Sequence, residues 1–218
     1  MTEQEIRKAI VEVAHSLAAK GVVGQSEGNL SVRCGDRVYL TPSHKSKEYL
    51  TEDQIIVTDL DGNKILGEGK PTSETIMHTL CYKKRPDIGA VCHTHSPFGS
   101  AWAWANKPIE IKENPEFAAN FGIVPCLPFG EPGTEHIIDG IDEFIDDYDC
   151  FLLANHGVLS LGEDIFAAAD KVISLEMQLK TAFIRSFLGN AGQTDIPEDI
   201  YQKTLEFGRK VARGRHDK

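Results

Sequence analysis

Val91-Cys92-His93-Thr94-His95-Ser96 is the stretch from which the fold and the chemistry of this chain are best read. The residues before the first histidine, 88–92, are apolar and predict a strand that runs straight into the pair. Side chains two apart on a strand leave the same face, so His93 and His95 can share one cation. A third imidazole stands at the end of another apolar run, in Leu153-Ala154-Asn155-His156-Gly157. Three protein ligands leave the fourth position of a tetrahedral zinc free, which is how catalytic rather than structural zinc is held. A lone His-x-His is often chance. With His156 and the acidic residue described below, the pattern reads as a metal site.

Outward from this strand the chain alternates between short strands and amphipathic helices. Pro71-Thr72-Ser73-Glu74 is expected to open a helix running to about Lys84, with Thr72 as N-cap and Glu74 in the first turn. Its apolar face is Ile76, Met77, Leu80 and Cys81. Before it, residues 29–34, 37–41 and 54–59 read as strands, with turns at Gly35-Asp36 and Asp61-Gly62-Asn63. Residues 3–20 form an amphipathic helix that stops at Gly21, and His15 within it is a surface or packing histidine. After the histidine pair, 101–105 is expected to be helical and 107–133 extended and punctuated by proline. A strand at 151–154 precedes a long helix from Asp164 to Leu188, ended by Gly189. The charged tail, 197–218, reads as a mobile segment or a final helix that docks conditionally. No repeat or linker divides residues 1–218, which implies a single domain.

Composition narrows the class. The net charge of −10 argues against nucleic acid as a partner, and Lys83-Lys84-Arg85 is better explained as complementing a helix dipole. The five cysteines have no Cys-x-x-Cys spacing and read as free thiols in a reducing compartment. The polar N-terminus does not resemble a signal peptide, and no apolar run is long enough for a bilayer. A cytoplasmic protein without membrane association is the expectation.

Glu74 gains meaning from its neighbours. Thr72 and Ser73 put two hydroxyls at a helix start, where free amides make an anion site. The turn Gly28-Asn29-Leu30-Ser31 can add further donors, Gly28 allowing close approach. A Lewis-acid metal, a carboxylate to move a proton and an anchor for an anionic tail together describe proton transfer next to a carbonyl.

Gly28-Asn29-Leu30-Ser31, Thr41-Pro42-Ser43, Lys70-Pro71-Thr72-Ser73-Glu74, His93-Thr94-His95-Ser96-Pro97, Gly133-Thr134 and Asn155-His156-Gly157 follow one another in an order and spacing that resembles the class II aldolase/adducin family, and most closely its L-fuculose-1-phosphate aldolase branch. The resemblance implies an α/β fold, a single αβα layered domain around a mixed, largely antiparallel sheet. It implies one zinc ion per subunit on His93, His95 and His156, with Glu74 as acid/base. Asn29, Ser43, Thr72 and Ser73 match phosphate-contacting positions. The family also implies a homotetramer with active sites between subunits.

Two departures qualify the match. Pro42-Ser43-His44 stands where the family commonly carries a glycine third, so His44 implies an altered anion pocket. The family's tyrosine from a neighbouring subunit has no counterpart in 107–122, where Glu113 and Glu116 are the expected proton carriers. Tyr201 is a further family tyrosine candidate without a firm alignment. The leading expectation is a zinc-dependent aldolase cleaving a small anionic ketose, such as a ketose 1-phosphate, through a zinc-stabilised enediolate. A decarboxylase of a phosphorylated β-keto acid and a pentulose-phosphate 4-epimerase share that intermediate. A non-catalytic adducin-like module and a zinc hydrolase are the readings from other classes.

Overall fold

The computed structural model describes residues 1–188 and 195–216. Its centre is an eight-stranded sheet built from β1 (Asn29–Cys34), β2 (Arg37–Leu40), β3 (Ile56–Asp59), β4 (Lys64–Leu66), β5 (Ala90–Thr94), β6 (Cys126–Leu127), β7 (Cys150–Leu153) and β8 (Gly157–Gly162). The spatial order is β4-β3-β2-β1-β5-β8-β7-β6, and every pair is antiparallel except β6 with β7. The sheet is therefore mixed and largely antiparallel, as the resemblance implies.

Strand alternation sends successive side chains to two separate cores. Ala90, Cys92, Leu152 and Val158 join one core with α1 (Glu3–Ala19) and α5 (Ile165–Ser186). Val91, Phe151, Leu153, Leu159 and Leu161 join the other, beneath α2 (Thr75–Lys84) and two short 3₁₀ turns at Glu135–Ile138 and Ile141–Glu143. Helices thus cover both faces, giving αβα layers. A capping box between Thr2 and Glu5 starts α1, and its buried stripe of Ile6, Ile10, Val13, Ala14 and Leu17 agrees with the periodicity. His15 is exposed and meets only the Leu50 carbonyl, as a surface histidine would.

Several boundaries differ from the sequence expectation. Helix α2 begins two residues late, with Glu74 rather than Thr72 at the N-cap, because Pro71 is held in an isolated bridge to Pro42. Helix α3 (Pro97–Trp104) starts four residues before the expected 101, with proline at its first turn. The stretch 107–133 is not wholly extended: it contains α4 (Pro115–Asn120), capped by Asn114, and β6. Residues 54–55 belong to a 3₁₀ turn and its cap rather than to β3, and β4 and β8 were not anticipated. Helix α5 ends at Ser186, two residues before the expected Leu188, and Gly189 lies outside the described residues. In the tail, α6 (Glu198–His216) packs on α4 through buried Tyr201, with Gly208 lying against the Ala119 carbonyl.

The five cysteines are free, with Cys81, Cys92 and Cys150 buried. Among the described residues no helix is long and apolar enough to cross a membrane.

Candidate active site and metal centre

Strand β5 delivers His93 to the face covered by α2, and His95 follows two residues on, just past the strand end. His156 arrives from the neighbouring hairpin, because β8 pairs with β5 so that Val158 lies opposite Thr94. The hairpin turns through Asn155 at φ 58°, a left-handed conformation asparagine tolerates, and His156 is thrown toward β5. The three rings stand edge to face, with centroids 4.8 to 4.9 Å apart. One potential ligand nitrogen from each lies within 4.8 Å of the others.

The donor chemistry fits a divalent cation. The Nδ1–H of His93 donates to the Val158 carbonyl at 2.9 Å, which leaves its Nε2 lone pair facing inward. That Nε2 lies only 2.9 Å from the Nε2 of His95, a distance at which two lone pairs repel unless a proton or cation sits between. Burial drives His93 down to about 3 and also lowers His95, so both rings are neutral ligands near pH 7. His156 presents Nε2 to the same space, while its buried Nδ1 has no partner among the described residues. Three converging imidazoles form a zinc-type set.

Glu74 closes the site. Its Oε1 lies 3.1 Å from His156 Nε2 and its Oε2 lies 3.4 Å from His93 Nε2. Asn29 Nδ2 donates to Oε2 at 2.7 Å. Burial opposes the carboxylate charge, but His93, His156 and Asn29 more than offset it, holding the group well below the usual carboxylate range. Asn29 sits opposite His93 in the β1–β5 register, which is why a strand residue reaches the helix cap.

The remaining expected residues gather around the cap, except Glu113 and Glu116. Ser43 N donates to the Lys70 carbonyl, and the Pro42–Pro71 bridge brings 41–44 beside 70–74. Thr72 is buried, Ser73 is exposed, and Gly133 lies 3.5 Å from the Ser73 carbonyl by the position a Cβ would take. Gly28 turns at φ +70°, and a Cβ there would come within 2.7 Å of the His93 carbonyl. His44 adopts φ 57°, a left-handed backbone that costs a non-glycine residue about 1 kcal/mol. Its side chain is exposed. Glu113 and Glu116 are also exposed, beside the Asn114 cap of α4, and neither belongs to the group formed by the three imidazoles.

Sequence reasoning missed four contributors. Lys47 is buried with its ammonium donating to the Ser26 and Lys45 carbonyls at 3.3 Å each. Burial lowers it to about 8, against the pull of Glu74. Glu176 on α5 accepts from the Phe98 and Gly99 amides, which pins the start of α3 and so the segment just after His95. His78 and Tyr82 lie behind Glu74 on α2. Their spacing, four residues apart from Glu74 onward, was the available signal.

Gly157 supplies a direct test of the packing. A Cβ there would meet the Thr94 carbonyl at 2.4 Å, His95 Cδ2 at 2.9 Å and His93 Cε1 at 3.2 Å. Gly157→Ala should therefore splay the imidazoles and sharply lower metal content while leaving the helices folded. Metal analysis alongside circular dichroism checks this, and full metal content would show that the rings have room to give.

Comparison with known proteins agrees with this architecture. A family model described as the class II aldolase and adducin N-terminal domain matches residues 8–183. An L-fuculose phosphate aldolase of Methanocaldococcus jannaschii is 38% identical, covering 82% of this chain and 96% of its own. A 3-oxo-tetronate 4-phosphate decarboxylase of Haemophilus influenzae is 33% identical over 84% of this chain and 89% of its own. Among solved structures, an L-fuculose 1-phosphate aldolase superposes with a TM-score of 0.82 at 25% identity, covering 94% and 97% of the two chains. With the fold, the three imidazoles and the capping glutamate already in place, this chain belongs to the class II aldolase and adducin family.

Proposed function

We propose that this protein is a zinc-dependent aldolase that cleaves a small anionic ketose, such as a ketose 1-phosphate. The observation that carries the reading is Glu74, buried and ionised, facing His93 and His156 across the metal-ligand set. His93, His95 and His156 would hold the ion. The ion, when bound, supplies Lewis-acid polarisation of a carbonyl and its neighbouring oxygen.

The protein's own groups do the rest. In the condensation direction the ionised Glu74 removes a proton from the carbon beside the carbonyl; in the cleavage direction it takes up the proton that the substrate hydroxyl releases as the C–C bond breaks and passes it to the carbon left behind. Thr72, Ser73, Ser43 and His44, gathered by the 42–71 bridge, form the anchor for the anionic end. Lys47 adds a buried positive charge behind this anchor, next to Ser26 and close enough to Glu74 to feel it. Glu113 or Glu116 from a neighbouring subunit would serve the departing aldehyde in place of the absent tyrosine. Exposed Phe183, Ile184 and Phe187 at the end of α5 suit coverage by such a neighbour.

A decarboxylase is the second reading. The missing tyrosine in 107–122 and the identity to a protein named as a tetronate phosphate decarboxylase both favour it. There the same apparatus loses carbon dioxide rather than an aldehyde, and Glu74 again protonates the carbon. Assaying ketose 1-phosphates for dihydroxyacetone phosphate and phosphorylated β-keto acids for carbon dioxide separates the two. Turnover of a ketose 1-phosphate, inhibited by inorganic phosphate or sulfate, is the expected result. A neutral ketose turned over equally well, without competition by either anion, would overturn the anionic-substrate reading.

A further inference from the structure

We propose that His78, backed by Ser31 and Tyr82, is a positioning residue that fixes the Glu74 carboxylate through Asn29; this rests on the reading of Glu74 as the acid/base. The arrangement follows from two periodicities in step. Glu74, His78 and Tyr82 stand four apart on α2, about 6 Å of helix rise each. Asn29 and Ser31 stand two apart on β1, about 6.6 Å of strand. The helix stripe and the strand face therefore interdigitate rung by rung.

The contacts form one continuous chain. Asn29 Nδ2 donates to Glu74 Oε2 at 2.7 Å, and Asn29 Oδ1 meets His78 Nε2 in a short hydrogen bond. His78 Nδ1 meets Ser31 Oγ at 2.6 Å, and Ser31 Oγ meets the Tyr82 hydroxyl at 2.7 Å. The direction of each bond is determined. An amide oxygen only accepts, so His78 carries its hydrogen on Nε2. Its Nδ1 then accepts from the Ser31 hydroxyl, and Ser31 accepts from Tyr82. Every hydrogen points toward Glu74.

Position, not proton conduction, is the role this geometry allows. Ser31 and His78 are wholly buried and Tyr82 is 1% exposed, so the chain ends inside the protein. Burial also drives His78 down to about 4, which keeps it neutral. A buried polar chain that is satisfied link by link is rigid, and its far end inherits that rigidity. Asn29 cannot rotate without losing His78, and Glu74 Oε2 cannot shift without losing Asn29.

The test uses the zinc-loaded protein and solvent deuterium exchange into dihydroxyacetone phosphate. His78→Phe should lower the exchange kcat about 10–100-fold, the usual range for losing a group that orients a site residue. KM and zinc content should stay at the parental level. His78→Gln, whose side-chain amide can donate to Asn29 Oδ1, should recover most of the loss. Parental kcat in His78→Phe, or equal losses in the Phe and Gln variants, would overturn the proposal. If the parent protein shows no exchange, the reading of Glu74 fails instead, and a second measurement decides the chain itself. Nitrogen-15 NMR of the histidine rings should show His78 as a neutral Nε2–H tautomer; an Nδ1–H tautomer or a doubly protonated ring would contradict it.

Discussion

Replacing His93 and His95 together with alanine should take the protein from one tightly bound zinc per subunit to none, and activity should vanish with it. The two rings present nitrogens 2.9 Å apart at the end of one strand, and His156 alone cannot hold a zinc-type ion tightly. The fold should survive. The His93 hydrogen bond to Val158 is worth about 1 kcal/mol, and the sheet registers on either side of β5 do not depend on it. Metal analysis and thermal unfolding on the same preparation separate lost binding from lost folding. Stoichiometric tight zinc in the double variant would remove the basis for the assignment.

Glu74→Gln should have the next largest effect, and on a different quantity. Glutamine keeps the shape and can still accept from Asn29 Nδ2, so the Asn29 side and most of the metal should persist. Proton transfer should not, because an amide cannot act as general base. The expected loss is about 10²–10⁴-fold in the rate of proton exchange, the usual contribution of such a group. Exchange at the parental rate would move the base elsewhere, to Glu113 or Glu116.

The convergence of the three histidines was legible because a strand has a fixed period: two histidines at i and i+2 after an apolar run leave little freedom. The αβα layering came from the resemblance, whereas the helices at 3–20 and 164–188 were visible in their apolar stripes. The strand β8 was hidden because only three residues, 154–156, separate it from β7, and the left-handed Asn155 among them carries no unambiguous signal. Helix α4 was hidden because Pro115 read as an interruption, although proline at a first turn begins helices. The start of α2 was misplaced because Thr72 has the chemistry of a cap, while a distant bridge from Pro42 holds that segment out of the helix. The chain behind Glu74 joins residues 45 to 51 positions apart, and local patterning carries no record of such contacts until strand and helix are laid together. His44 is the clearest case of mixed legibility. Its identity raised the expectation of a changed pocket, but only the structure shows its left-handed backbone, at φ 57°.

The central claim is that the three imidazoles and Glu74 act as one proton-transferring unit around a zinc-type ion. Solvent deuterium exchange into dihydroxyacetone phosphate tests it without requiring the natural aldehyde partner. Metal-loaded protein should exchange a carbon-bound proton, chelator-treated protein should not, and added zinc should restore the rate. Exchange that continues undiminished after the metal is removed would contradict the account.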